Sequence, residues 1–161
     1  MNVRLACVDD LNEIMELYHL VSDMMEDSAY DIGWRKDVYP TKEIVLLDIE
    51  QQTLYVLEKN EKIIGAIVLN HEYEECYQNI YWQIYAEDEE VTIIHRFCIH
   101  PDYRGCGKYL LKQIIKIAKK DGQKSIRLDV VSSNKPAICL YEKCSFLLQV
   151  YMKRSFKQVV N

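Results

Sequence analysis

The chain contains 161 residues, of which 49% are hydrophobic and 28% are charged, and its formal net charge is −5. This length suits one domain that can bury about 70% of its unfolded surface. No apolar run approaches the roughly 20 residues that span a bilayer, and the N-terminus lacks the apolar core of a signal peptide. No block rich in Lys and Arg could follow a nucleic-acid backbone. We therefore expect a single cytoplasmic domain over residues 1–161, with neither a membrane nor a nucleic acid as partner.

The six cysteines, at positions 7, 76, 98, 106, 139 and 144, form no CxxC pair. Their spacing suits neither a zinc site nor a short disulfide framework. We expect reduced thiols and no bound metal, which agrees with a cytoplasmic location. The negative net charge slightly favours a cationic partner such as an amine.

In chain order, the first half is predicted to contain a strand, two helices and two further strands. Residues 3–8 form the first strand, and Asp9 and Asp10 follow as N-terminal caps of a helix. The apolar face of that helix consists of Leu11, Ile14, Met15, Tyr18, Val21 and Met25. Residues 28–40 are irregular, and Thr41 caps the second helix. Two strands over 53–58 and 62–70, joined by a polar turn, complete this half.

The second half is predicted to contain strands at 91–99 and 125–131, a helix at 108–120 between them, and a closing strand at 146–156. Asn134 and Pro136 open a short helix that ends at residue 143. The preceding segment, 72–90, is rich in aromatic and acidic residues, and part of it is predicted as strand. The order of elements predicts a mixed α/β sheet with βαβ units in its later half.

The turn Arg104-Gly105-Cys106-Gly107 joins the strand at 91–99 to the following helix. A helix N-terminus offers unpaired N–H groups and partial positive charge, and neighbouring glycines let a ligand approach the backbone. Arg104 and Lys108 add formal charge, so the turn predicts binding of an anion, best of all a phosphate. The alternative is a tight turn that needs glycine for its geometry alone.

Two nucleotide-binding motifs fail at this turn. A P-loop would require Gly at 102 and Ser or Thr at 109, where this chain has Asp102 and Tyr109. A dinucleotide fingerprint would require a third glycine at 110, which is Leu110.

Together with a second block downstream, the turn resembles the GNAT superfamily of N-acetyltransferases. The first block is Ile99-His100-Pro101-Asp102-Tyr103-Arg104-Gly105-Cys106-Gly107, and the second is the strand 125–131 followed by Asn134, Tyr141 and Phe146. The two blocks cover residues 91–156. The resemblance implies a single-domain α/β fold with a mixed, mostly antiparallel sheet flanked by helices, and a βαβ half that binds the cofactor.

By the same resemblance, the chain would transfer an acetyl group from acetyl-CoA to a primary amine by direct attack. The pyrophosphate of CoA would lie on the N–H groups of Arg104, Gly105, Cys106, Gly107 and Lys108. A valine at Gly107 would then place a side chain where the phosphate lies. The pantetheine arm would run beside Phe97, Cys98 and Ile99, and a backbone N–H there would polarise the thioester carbonyl.

The resemblance makes Tyr141 the candidate acid that protonates the departing thiolate, with a phenol pKa near its ordinary value of about 10. Asn134 would cap the last helix and bind the pantetheine, although capping alone explains this residue. His95 is the candidate general base, with Glu72 and Glu87 as rivals. Structural roles for Tyr141 and His95 remain alternatives. A nucleophilic role for Cys98 or Cys106 is disfavoured because neither has an activating base nearby in sequence.

The resemblance also has two departures. Lys108-Tyr109 lead directly into Leu110-Leu111, which makes the turn two residues shorter than the family pattern, and Cys144-Ser145-Phe146 replaces Leu-Gly-Phe. The short turn favours a second hypothesis, a CoA-binding sensor or regulatory domain without turnover.

The acceptor side is expected to come from the first two helices and the aromatic segment at 73–85, whose carboxylates and rings suit a cationic amine. Relatives often form homodimers.

Overall fold

The described residues form a seven-stranded sheet with the strand order β1-β2-β3-β4-β5-β7-β6. The computed structural model describes residues 1–73, 77, 78, 80–151 and 154–160, and from residue 148 onwards it describes the backbone only. The strands are β1 (Asn2–Leu5), β2 (Leu54–Lys59), β3 (Lys62–Asn70), β4 (Val91–Ile99), β5 (Ser125–Val131), β6 (Leu147–Tyr151) and β7 (Arg154–Val160). Of the neighbouring pairs, β4 and β5 run parallel and the others antiparallel, so the predicted mixed, mostly antiparallel sheet is confirmed.

In the described part of the chain, four α-helices cover the two faces of the sheet: α1 (Leu11–Met25), α2 (Lys42–Glu50), α3 (Cys106–Lys120) and α4 (Lys135–Glu142). Apolar residues of α1 and α2 share one core cluster with β2 and β3, which places both helices on the same face. Apolar residues of α3 and α4 share a second cluster with β5 and Phe146 on the opposite face. Among the described residues, no helix has the length and apolar character needed to cross a membrane.

Local side-chain caps begin two of the helices as the sequence predicts. The Thr41 hydroxyl accepts a hydrogen bond from the Ile44 N–H at 3.4 Å, and the Asn134 Oδ1 accepts one from the Ala137 N–H at 3.2 Å. Each bond satisfies a donor of the first helical turn, which lacks a partner within its own helix. The start of α4 on the edge of the site is therefore determined locally.

Several predicted boundaries are wrong. Strand β1 ends at Leu5 because residues 8–10 form a short 3-10 helix before α1. Helix α3 begins at Cys106 rather than at residue 108, since Gly105 caps it in the left-handed conformation, with φ of 87°. The predicted closing strand at 146–156 is two strands, β6 and β7, and β7 lies between β5 and β6 in the sheet.

The predicted strand within 72–90 is absent from the described residues of that segment, which form irregular backbone and two short 3-10 stretches. Tyr77 is buried against Val91 and Ile93 at the start of β4. The guanidinium of Arg127 on β5 lies 4.3 Å from the centre of the Trp82 ring, a cation–π contact that fastens the segment to the sheet. Residues 74–76 and 79 of this segment, including the cysteine at 76, lie outside the described part of the chain.

A β-bulge interrupts β4 near its middle. Ala66 of β3 pairs with Cys98 and Val68 pairs with His95, so Ile67 faces both Arg96 and Phe97. Arg96 has a φ of +45°, which is unusual for a residue with a Cβ. An extra residue in one strand bends that strand and increases its local twist.

Strands β4 and β5 separate just before this bulge. Their parallel pairing runs from Val91–Ser125 to Ile93–Arg127 and stops there. Beyond that point the two strands diverge, and the β4 edge that faces β5 has backbone groups without a strand partner. Backbone N–H and C=O groups require hydrogen bonds, so an opened strand edge can bind an extended ligand.

Candidate active site

A cleft of about 800 Å³ occupies the gap between β4 and β5. Six of the eleven site residues predicted from the sequence line it: His95, Phe97, Cys98, Ile99, Asn134 and Tyr141. They come from β4, from α4 and from Asn134, which caps α4. These elements are far apart in sequence and meet here because β4 and β5 diverge. The five residues of the glycine turn lie outside this lining.

Side-chain alternation divides the cleft between the two faces of the sheet. Phe97 and Ile99 of β4 pack towards the α3 and α4 cluster, together with Leu140 and Tyr141. His95 follows Ile93 by two positions and therefore shares its face, the one covered by the segment containing Tyr77. We name these two parts the α4 side and the α1 side of the cleft.

Tyr141 is a buried polar group on the α4 side. Its residue exposure is 6%, and its ring lies 6.2 Å from Phe97 and 5.7 Å from Phe146 between ring centres. Burial raises the pKa of the Tyr141 phenol above its ordinary value, and the nearby charge of Asp129 acts in the same direction. The expectation of an ordinary pKa near 10 is therefore wrong, and this phenol holds its proton over a wider pH range.

The glycine turn adjoins the α4 side through one layer of side chains. A Cβ built on Gly107 would lie 3.0 Å from Leu140 Cδ2 and 3.6 Å from Phe97 Cζ. Gly107 is therefore a packing glycine, and the expectation that a valine there would enter the phosphate position is wrong. Gly105, by contrast, has open space around its Cβ position, with nothing within 4 Å.

The first turn of α3 keeps donors available at this end of the cleft. The Cys106 N–H already bonds to the Tyr103 carbonyl at 3.2 Å. The N–H groups of Gly107 and Lys108 lie in the first helical turn, where no carbonyl four residues earlier belongs to the helix. Arg104 and Lys108 have exposed side chains, so their charges can reach an anion at the helix N-terminus.

His95 is half-buried on the α1 side. Its Nε2 lies 3.3 Å from the Glu72 carbonyl oxygen. Because a carbonyl can only accept, this contact assigns the proton to Nε2 and leaves the Nδ1 lone pair free to accept. Burial lowers the pKa of His95, and the charge of Arg96 adds to that effect, so the imidazole is neutral at pH 7.

Arg96 and Asp48 form a buried ion pair that sequence reasoning missed. The Arg96 Nε and Nη2 donate to the two Asp48 carboxylate oxygens at 2.8 and 2.6 Å, and Nη1 donates to the Tyr39 hydroxyl at 3.1 Å. The Tyr18 hydroxyl donates to the Arg96 carbonyl at 2.9 Å. Both the side chain and the backbone of the bulge residue are thus held by groups from α1, α2 and the loop between them.

The remaining candidates do not gain support from the geometry. Glu72 and Glu87 do not line the cleft; Glu72 contributes its carbonyl to His95, and the Glu87 carboxylate accepts from the Tyr85 hydroxyl at 3.1 Å. Burial raises the pKa of the Cys98 thiol to about 12, which opposes thiolate formation. The cysteines at 7, 98, 106, 139 and 144 are free, and position 76 lies outside the described residues.

The expected acceptor side is partly wrong. None of the described residues of the 73–85 segment lines the cleft, because Tyr77 and Trp82 turn towards β4 and β5 and Tyr81 is 90% exposed. The α1 side is instead closed by the end of α1 and the following loop. The residues concerned are Val21, Met24, Met25, Ser28, Tyr30, Ile32, Gly33, Trp34 and Tyr39. Over the described part of the chain, no group of three or more His, Cys, Asp or Glu side chains is arranged to hold a metal.

Comparison with known proteins identifies the class. The model of the acetyltransferase (GNAT) family matches residues 10–146, and the chain belongs to this family. An uncharacterized N-acetyltransferase of Methanocaldococcus jannaschii is 30% identical over 152 residues, a match that covers 89% of this chain and 59% of that relative. The chain thus spans about three fifths of the length of the curated relative.

Solved structures share the fold. A GNAT-family acetyltransferase from Streptococcus agalactiae superposes with a TM-score of 0.87 at 20% identity, covering 99% of this chain and 95% of that one. The PaiA N-acetyltransferase from Thermoplasma acidophilum, crystallised in complex with coenzyme A, gives a TM-score of 0.77 at 21% identity, with coverages of 99% and 98%. The fold predicted from the sequence is therefore confirmed.

Proposed function

We propose that this chain transfers an acetyl group from acetyl-CoA to a primary amine by direct attack, with Tyr141 as the general acid. The observation that carries the proposal is the meeting of two groups in one cleft. These are a buried phenol that keeps its proton and a strand edge that loses its neighbour after Ile93. Membership of the GNAT family and the CoA complex of the Thermoplasma relative support acetyl-CoA as the donor.

The α4 side fits the donor. An extended pantetheine arm can pair with the free edge of β4 beside Phe97, Cys98 and Ile99, and Asn134 lines the same cleft. The open space at Gly105 and the first-turn donors of α3 suit the pyrophosphate. A thioester that follows this path would reach the middle of the sheet, between the two sides of the cleft.

The reaction then needs few groups. The amine nitrogen forms a bond to the acetyl carbonyl carbon, and backbone N–H groups of the opened β4 edge stabilise the oxyanion. The carbon–sulfur bond breaks, and the sulfur takes a proton from the Tyr141 hydroxyl. The nitrogen loses a proton, and Tyr141 is reprotonated before the next turnover.

His95 is suited to accept the proton that the amine loses. Its imidazole is neutral at pH 7, and the Nδ1 lone pair is available because Nε2 is bonded to the Glu72 carbonyl. His95→Gln should lower kcat near neutral pH. The loss should shrink at high pH, where the amine in solution is already deprotonated; a loss that is the same at every pH would remove the base role.

A thiol-release assay tests the proposal. Acetyl-CoA and a panel of amines should yield free CoA thiol, and CoA should raise the melting temperature of the protein. Tyr141→Phe should lower kcat by about 10²–10⁴-fold, the range for a general acid, with little change in CoA affinity. Turnover by Tyr141→Phe at the wild-type rate would contradict the acid role.

Binding without turnover is the competing function. The turn between Gly107 and Leu110, which is shorter than the family pattern, favours it. The same two measurements separate the functions, because a sensor would be stabilised by CoA without releasing thiol for any amine. The absence of stabilisation by both CoA and acetyl-CoA would contradict both functions.

A further inference from the structure

Arg96 lies in the bulge of β4, directly before the strand edge that fits the donor. We infer that Arg96 is a positioning residue for acetyl transfer, because its carbonyl and its guanidinium hold the bulge in the geometry that opens the β4 edge to the thioester. This inference rests on the proposed function and adds a residue to the same site.

The backbone of Arg96 is held from α1. Its φ of +45° lies in the left-handed region, which residues with a Cβ rarely adopt. Backbone strain of this kind persists only where the surrounding structure holds it. The hydroxyl of Tyr18, a residue that is fully buried on α1, donates to the Arg96 carbonyl at 2.9 Å. This hydrogen bond ties the carbonyl of the bulge residue to a helix.

The side chain of Arg96 is held from α2 and from the loop before it. Its Nε and Nη2 donate to the two oxygens of Asp48, and its Nη1 donates to the Tyr39 hydroxyl. The guanidinium is planar and its donors form a rigid fork, so two bonds to one carboxylate fix its orientation. Arg96 lines the cleft, but each of its three guanidinium nitrogens has a protein partner. Arg96 therefore acts on the site through the bulge and not by binding the substrate.

Aromatic contacts join the two attachments. The Trp34 ring lies edge-on to the rings of Tyr18 and Tyr39, with centre-to-centre distances of 5.5 and 6.3 Å. Trp34 and Tyr39 also line the cleft on its α1 side. The residue that shapes the bulge is therefore fixed by the same wall that closes the α1 side.

The donor edge of β4 begins directly after the bulge. The His100 N–H donates to the Ile64 carbonyl on β3 at 2.8 Å, and the neighbouring pair is Ile99 with Gly65. Successive residues of an antiparallel pair point their N–H groups to opposite sides, so the Ile99 N–H faces away from β3, towards the opened edge. A bulge bends its strand, so the geometry of the bulge sets the direction of this edge relative to Tyr141.

Two variants loosen the bulge without removing a group that lines the donor path. Tyr18→Phe removes the hydrogen bond to the Arg96 carbonyl and keeps the ring. Arg96→Lys keeps the positive charge and loses the fork that binds both Asp48 oxygens. The matched control is Ile63→Ala, which opens a cavity in the core cluster of α1 and α2 and removes no bond to Arg96.

Thiol release is measured at saturating amine, below the melting temperature of every variant. Tyr18→Phe and Arg96→Lys should each lower kcat about 10- to 100-fold, the scale on which a displaced reacting group loses rate. The Kd for CoA, measured by calorimetry, should stay within about 3-fold of the wild-type value. The reason is that the altered bonds lie on the face of α1 and α2, whereas α3 packs on the opposite face. Retained CoA binding also shows that each variant is folded.

Ile63→Ala should keep the wild-type kcat, although its melting temperature should fall at least as far as that of Tyr18→Phe. Wild-type kcat in either Tyr18→Phe or Arg96→Lys would overturn the inference. An equal loss of kcat in Ile63→Ala would also overturn it, because general destabilisation would then explain the effect. So would a Kd for CoA that weakens as much as kcat falls, since these residues would then act in donor binding.

Failure of the proposed function would be a different result. The wild-type protein itself would then release no thiol from acetyl-CoA with any amine, and the positioning role would fall with the proposed function.

Discussion

The ion pair between Asp48 and Arg96 offers a quantitative test of how the bulge in β4 is held. Asp48→Asn keeps the shape of the side chain and removes its charge. Arg96, whose side chain is only 10% exposed, would then lack its anion. The NH₂ group of the asparagine would replace one carboxylate oxygen, so two donors would face each other where the present contacts are 2.6 and 2.8 Å long. Removing one partner of such a buried pair costs about 3–5 kcal/mol.

A shift of 1 kcal/mol changes the melting temperature of a domain of this size by about 2–4 °C. We therefore expect Asp48→Asn to lower the melting temperature by about 6–20 °C. Glu58→Gln is the matched control, because Glu58 pairs with Arg4 at 2.8 Å but both side chains are about one-third exposed. Exposed pairs contribute about 0–1 kcal/mol, so this control should lose no more than about 4 °C.

Urea denaturation followed by circular dichroism at pH 7 gives the free energy of unfolding of each variant. The double variant Asp48→Leu with Arg96→Met removes both charges, and it should be less destabilised than Asp48→Asn because no unpaired buried charge remains. The reasoning fails if Asp48→Asn loses no more stability than Glu58→Gln.

Three further predictions concern stability. Ser145 has a φ of 69°, a conformation that glycine adopts without the steric cost of a Cβ. Ser145→Gly should therefore raise the free energy of unfolding by up to about 1 kcal/mol, whereas Ser145→Ala should not. An unchanged melting temperature for the glycine variant would refute strain at this turn. A Cβ on Gly65 would lie 2.6 Å from Ile99 Cδ1, the movable end of a side chain, and 3.3 Å from the Cys98 carbonyl oxygen. Gly65→Ala should therefore cost about 1 kcal/mol in urea denaturation, the low end for overpacking, and a loss above about 3 kcal/mol would contradict this reasoning. A hydrogen bond from Arg4 lowers the pKa of Asp10 from 3.8 to about 2, so this carboxylate stabilises the fold above pH 3.8 and loses that effect as the pH falls towards 2. Asp10→Asn should therefore be less stable than the wild type at pH 7 and equal to it near pH 2, and a stability gap that persists at pH 2 would rule out this linkage.

The parts of the fold that depend on local patterns were predictable. Strands β4 and β5 have the predicted bounds because their apolar residues form unbroken or alternating runs between polar turns. The caps at Thr41 and Asn134 are confirmed because each side chain bonds a backbone N–H three residues away. The two blocks around Gly105 and Tyr141 were sufficient to indicate the family, since their combined pattern is specific although each block alone is weak.

The parts that depend on contacts between distant residues were not predictable. Nothing in the sequence of α2 distinguishes Asp48, which is buried, from an ordinary exposed acid, because its partner Arg96 lies 48 residues further on. A Cβ on Gly107 would point towards Leu140 of α4, and the sequence around the glycine gives no sign of that neighbour. The apolar residues that close the α1 side of the cleft were missed for the same reason. Residues 28–39 have no periodic pattern, and only their packing against β4 brings Trp34 into the cleft.

The extra residue in β4 also changes which side chains the strand presents to each face. A regular strand sends consecutive side chains to opposite faces, whereas here His95 and Arg96 follow one another on the α1 side. Deleting one residue at this point would restore strict alternation and exchange the faces of either the first or the second half of the strand. Phe97 and Ile99 would then point away from the face that contacts Gly107, or His95 would point to the face opposite Asp129. Loops commonly tolerate insertions and deletions, but at this position the length of the strand is itself part of the site.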